Sequence, residues 1–261
     1  MLVAAALVPD TVLLLPGAAG GASDEPGLVV LRDAALAAVA GALATVADGS
    51  ARVVVVAPGR ADRAVVGAVR PGAAAVGVPD AFIGWPVPTL TLEAPRAGPA
   101  PAAGALAVPA AVGLQLVLRA GDGTRPVHVV EVGTRDAAAL RDAGARLCAD
   151  GPTVLVVVGS GSARHGPDAP LAEDPAAPAV DAAVADAVAG GGRRARDVLA
   201  GLDPVAAEAL AVSGWAPWQV LVGALDASGG VARTVACHDD VWRGAAHGAA
   251  CWRVEPAGAT S

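Results

Sequence analysis

The residues best equipped for chemistry sit in one loop. Gly159-Ser160-Gly161-Ser162-Ala163-Arg164 follows an apolar run, and His165 comes directly after it. Such a loop offers hydroxyls, backbone N–H groups and one imidazole, the parts needed for phosphate binding or acyl transfer. Neither pattern is complete. A dinucleotide fingerprint needs a third glycine where Arg164 stands. A nucleophile elbow needs a serine with glycines two residues away on both sides, and neither Ser160 nor Ser162 has them. His128, His165, His238 and His247 are scattered, with no pair at the close helical spacing of a zinc site. His238-Asp239-Asp240 reads as a solvated polar turn between strands that has carboxylate oxygens to offer a metal. His165 alone sits on a loop at the carboxyl end of a predicted strand, so it has the strongest claim to a pocket. Trp215-Ala216-Pro217-Trp218 stands out in a chain with 2% aromatics. Its indoles suit core packing through their large buried area, or one wall of an aromatic-ligand pocket.

These residues are placed by alternating apolar strands and helices. Leu2–Val8, Arg52–Ala57, Pro126–Val132 and Thr153–Val158 are short, Val- and Ala-rich runs stopped by Pro or Gly, the pattern of buried parallel strands. Helices are predicted at 28–47, 105–118 with a bend or restart at Pro109, 135–149, 177–189, 193–200, 204–213 and 216–226. Asp203-Pro204 supplies an N-cap and a first-turn proline. Residues 84–103, rich in Pro and Gly, read as an irregular excursion. Val231–Cys237 and Gly248–Val254 read as closing strands. The result is an α/β chain with a single domain over residues 1–255, a central mostly parallel sheet flanked by helices, and a flexible tail at 256–261. Ligands in such folds lie beyond the carboxyl ends of the strands, here the loops after Val8, Ala57 and Val158.

Composition removes several functions. All 18 basic residues are Arg, Lys, Asn and Tyr are absent, and Ile occurs once, the bias of a GC-rich bacterial coding sequence. The alanine runs therefore say little about membranes or coiled coils. A net charge of −7 argues against a nucleic-acid partner, and Arg193, Arg194 and Arg196 read as a solvated face. No apolar stretch runs long enough without Pro, Gly or charge to predict a membrane span. The apolar N-terminus lacks a basic region and is broken at Pro9-Asp10, so a buried strand is the better reading than a signal peptide. Cys148, Cys237 and Cys251 match neither a disulfide framework nor a zinc spacing, which points to free thiols and a cytoplasmic address.

From Val158 to Leu225 the chain resembles a known family. VGSGSARHGPDAP, DPAAPAVDAAVADAV and LDPVAAEALAVSGWAPWQVLVGAL are similar to the subunit-B-like domain of class III extradiol ring-cleavage dioxygenases, in an uncharacterised bacterial branch. LVAAALVPDTVLLLPG resembles the opening strand and loop of that domain. The likeness spans most of the chain and is weak from about 60 to 125. Active members hold Fe(II) with two His and one Glu, leaving open positions for catecholate and oxygen, and use a further His as acid/base.

The resemblance places the first His at Asp10, the second at Gly59, the acid/base His at Ala163 after Ser162, and the Glu region at Ser213-Gly214. It therefore implies a catalytically degenerate relative with no cofactor and a binding or structural role. The vestigial pocket is expected to comprise Asp10, Gly59, Ser160, Ser162, Ala163 and His165, with Trp215 and Trp218 facing a small aromatic molecule. The alternative is a dioxygenase-like enzyme acting on a small aromatic substrate, with Fe(II) held by a site rebuilt from Asp10, His165 and the His238-Asp239-Asp240 segment. Oligomeric state is left open.

Overall fold

Valine and alanine runs with no polar alternation have to be covered on both sides, and the chain does this by laying helices on each face of one sheet. The structure, a computed structural model, describes residues 1–46, 50–121, 123 and 125–256. In chain order the elements are β1 (Leu2–Val8), α1 (Pro26–Ala44), β2 (Arg52–Pro58), β3 (Arg63–Val69), β4 (Leu90–Leu92), β5 (Pro101–Ala103), α2 (Val108–Ala120) and β6 (Val127–Val132). There follow α3 (Ala137–Leu147), β7 (Thr153–Val158), α4 (Ala177–Gly190), α5 (Gly192–Gly201), α6 (Pro204–Ala209), α7 (Trp215–Ser228), β8 (Gly230–Trp242) and β9 (Ala245–Pro256).

The strands run β4-β3-β6-β2-β7-β1-β9-β8, with β5 also paired to β3. β6, β2, β7 and β1 are parallel neighbours. Both flanks are antiparallel: β3 against β6 and β4 on one side, β9 against β1 and β8 on the other. The expectation of a mostly parallel sheet is therefore corrected to a mixed one. Antiparallel ladder predominates because β8 and β9, at 13 and 12 residues, are the longest strands. A long hairpin was not legible from runs that looked like two short closing strands.

Four other expectations change. His238-Asp239-Asp240 is not a turn but part of β8, opposite Ala249, Gly248 and His247; the turn falls at Arg243-Gly244. The stretch from 84 to 103 is not merely irregular, since β4 and β5 extend the sheet there, and β3, which was not predicted, pairs with both. Pro109 starts a helix instead of bending one. The expected tail begins one residue late, because Pro256 closes β9, and 257–261 lie outside the described residues, as does Ala47 at the predicted end of the first helix.

Alternate residues of the central strands enter two cores. Ala4, Ala6, Val8, Val55, Val156 and Val158 pack under α1 and α2. Ala5, Leu7, Val54, Leu155 and Val157 pack under α4, α5 and α7. By length and composition α1 could cross a bilayer; here Leu28, Leu31, Ala35, Ala38, Val39 and Ala42 are buried in the first core. Arg32 of α1 is buried too, with Nε donating to the carbonyl of Leu14 at 2.7 Å and Nη2 to that of Ser23 at 3.2 Å. It thereby holds the loop after β1, which carries Asp10.

With small side chains available, helices must approach closely. At the α3–α7 crossing, a Cβ on Gly223 would stand 1.9 Å from the Arg141 carbonyl oxygen, and one on Gly144 1.9 Å from that of Val220. Gly223→Ala is therefore expected to destabilise the fold by about 1–3 kcal/mol through overpacking. Gly190→Ala, where a Cβ meets nothing within 4 Å, should leave stability nearly unchanged. Urea unfolding of the two variants checks the contrast.

Candidate functional site

The parallel register brings the loops after β1 and β7 side by side. Gly159 N–H donates to the carbonyl of Val8 at 2.9 Å, which sets Asp10 against Ser160. Ser160 Oγ donates to Asp10 Oδ1 at 2.5 Å and lies 3.0 Å from His247 Nδ1. The one hydroxyl hydrogen is committed to the carboxylate, so Nδ1–H of His247 is the donor to Ser160. An imidazole that donates to a serine does not withdraw its proton, the reverse of nucleophile activation. Ser160 is further held by its own N–H, which donates to Ser213 Oγ at 2.9 Å, and its carbonyl accepts from Gly214 N–H at 3.0 Å. Ser213-Gly214, where the resemblance places a glutamate, therefore braces this loop.

Gly59 follows β2 on the same edge, yet its place is taken. A Cβ there would meet Glu131 Cβ at 2.7 Å and Oε2 at 3.2 Å. Glu131 is buried and occupied on both oxygens: Arg63 Nε donates to Oε2 at 2.8 Å and Ala107 N–H to Oε1 at 2.7 Å. An iron triad needs two imidazoles and a carboxylate converging with positions left open. Here Asp10 is tied to Ser160, Gly59 and Ala163 bring no donor, and Glu131 is spent on Arg63 and Ala107. Among the described residues no three His, Cys, Asp or Glu side chains gather around one point. The residues present do not fit Fe(II).

The loop continues into a second polar cluster on the other face. Asp181 of α4 accepts Ser162 N–H on both oxygens at 3.1 Å, and His165 Nε2 lies 2.6 Å from its Oδ2. Ser162, fully buried, donates from Oγ to the Leu210 carbonyl at 2.7 Å. Gly161 N–H donates to Ala246 O and Ala246 N–H to Ser162 O, which ties the loop to the start of β9. Residues 163–174 close on themselves, Leu171 N–H to Ala163 O and Asp174 N–H to Arg164 O. Asp10 and His165, grouped in the rebuilt-site alternative, thus have separate partners.

Beside His165 and Asp181 lies a cavity of about 310 Å³ between α4 and the β8–β9 hairpin. Its lining includes Leu7, Gly159, Gly161, Val184, Val188 and Trp218. Of the residues singled out from sequence, His165, Trp218 and the His238-Asp239-Asp240 segment border it. Asp10, Gly59, Ser160, Ser162, Ala163 and Trp215 are not part of the lining. Trp215 is in the core, its Nε1–H donating to the Leu202 carbonyl at 2.9 Å.

Strand alternation sorts the hairpin. Ala249 and Cys251 belong to the core under α1, Ala250 and Trp252 to the core under α4. Counting along the paired register, Cys237, Asp239 and Val241 face α4 and the cavity, while His238, Asp240 and His247 turn toward the Asp10–Ser160 side. The same count places Cys237 and Cys251 on opposite faces, so they cannot bridge, and all three thiols are free. Sequence reasoning missed His247, Asp181 and Glu131. Only the polar type of each, isolated in an apolar run, could have signalled them.

No family model matches this chain, and no curated protein matches it. Among solved structures it is similar to an uncharacterized protein from Escherichia coli K12, at 14% identity and a TM-score of 0.47, over 95% of this chain and 99% of that one. A likeness at that level decides nothing about function.

Two outcomes follow from the geometry. Restoring a histidine by Gly59→His should collide with Glu131, lower stability by about 2 kcal/mol or more, and create no Fe(II) affinity; thermal melts and calorimetric iron titration measure both. Burial pushes the His247 imidazole below its ordinary value, outweighing the opposite pull of Asp10 and Asp240. The unfolded chain therefore takes up a proton that the folded chain refuses. Stability should fall as pH drops below about 6.5, until the depressed folded value is reached. His247→Asn should flatten that part of the curve.

Proposed function

We propose that this chain is a small-molecule-binding α/β domain, a catalytically degenerate relative of the class III extradiol dioxygenases whose carboxyl-edge cleft no longer runs iron chemistry. The observation carrying this reading is the occupation of the expected ligand positions, with Glu131 filling the space beside Gly59 and Ser160 engaging Asp10. Beside the cleft lies the cavity under α4, whose volume of about 310 Å³ suits a one-ring molecule. Its walls are mainly apolar, with Trp218 on one side and the His165–Asp181 pair as the polar contact. A small aromatic molecule is the partner these walls favour.

The test uses purified protein without metal and the single-ring probes phenol, catechol and 2-phenylethanol, followed by ligand-observed NMR. Binding is expected, and it should be lost in Ala182→Trp, which places an indole at the exposed rim of the cavity. Oxygen uptake with catechol should stay at background after Fe(II) is added. Failure of all three probes to bind would overturn the binding role. Ring opening that disappears in Asp10→Ala would overturn the non-catalytic one and favour the rebuilt enzyme.

A further inference from the structure

We infer that the cavity under α4 selects a ligand with an apolar body and a cationic head, such as a primary ammonium, over neutral or anionic molecules of the same shape. This rests on the preceding reading that the cavity binds a small molecule.

The charge around the cavity has one sign. Arginine is the chain's only basic residue type besides histidine, and no arginine lines this space. Two carboxylates face it, Asp181 from α4 and Asp239 from β8, while that of Asp240 lies on the opposite face of the hairpin, toward Gly27 of α1. Asp181 is nine-tenths buried, on the wall beside an apolar floor. A carboxylate offers about four acceptor positions. Those of Asp181 receive only the shared Ser162 N–H and His165, so capacity for another donor remains. Asp239 projects to the same face by strand alternation and is exposed. Neither it nor Asp240 forms an ion pair with a cation among the described residues.

Low-dielectric walls strengthen this bias. Apolar side chains keep water from screening a charge at the cavity's inner end, so an ammonium gains more there than on an open surface. An anionic head would meet two like charges and no compensating arginine. Trp218 is also in the wall, and an indole attracts a cation.

The experiment compares 2-phenylethylammonium, 2-phenylethanol and phenylacetate, near-isosteres differing in head-group charge, by ligand-observed NMR at pH 8 and low salt. The ammonium should bind about tenfold more tightly than the alcohol, and phenylacetate more weakly than either. Asp239→Asn should weaken the ammonium roughly three- to fivefold and leave the alcohol unchanged. Asp181→Asn should weaken it about tenfold, with circular dichroism confirming the fold. Equal binding of ammonium and alcohol would overturn charge selection while leaving the pocket reading intact. Ammonium binding that survives both substitutions, or persists in Ala182→Trp, would place it elsewhere and overturn the inference. Failure of all three compounds to bind would defeat the pocket reading itself, and this inference with it.

Discussion

The central strands carry no polar alternation, and that constraint governs the rest of the molecule. A strand with one wet face fixes its own register, because a one-residue slip would bury its polar side chains. β1, β2 and β7 are almost entirely Ala, Val and Leu, so a slip among them would bury one apolar residue in place of another. Register is supplied instead by polar contacts at the strand ends. At the amino side, Arg52 Nε donates to Thr153 Oγ1 at 3.1 Å and Nη2 to the Leu147 carbonyl at 2.9 Å. At the carboxyl side the same office falls to Asp10 and Ser160. The polar cluster that looks like chemistry is thus also the clamp that aligns the sheet.

Small side chains explain both the tight crossings and the cavity. Where glycines face backbone, as between α3 and α7, the helices close up. Elsewhere small side chains leave space over. The wall under α4 has Ala182, Ala185, Ala246 and Ala250 around it. The cavity therefore follows from composition as much as from any ligand, and its carboxylates are what distinguish it from a packing remainder.

The sequence revealed the strands whose runs were unbroken and the helices with proline or aspartate at their starts. β3 escaped notice because Gly67 interrupts it at a positive φ, and β4 and β5 because three residues make no pattern. The hairpin was misread because its acidic stretch looks like a turn, although β8 is an edge strand where polar residues on both faces cost little. His165 was found through its position after a strand. Its partner Asp181 was hidden in an alanine-rich helix, and His247 meets Ser160 across 87 residues of chain, a distance no local spacing records. Glu131 lay in a run that announced only a strand.

Gly59 and Glu131 also limit where this chain can go next. A bulkier residue at 59 is barred while Glu131 stands, and replacing Glu131 first would strand the Ala107 N–H and leave Arg63 Nε without its carboxylate. Each single step is costly, and only the two together open the space. In a population of sequences that is a fitness valley, so the two positions are expected to change as a pair or not at all.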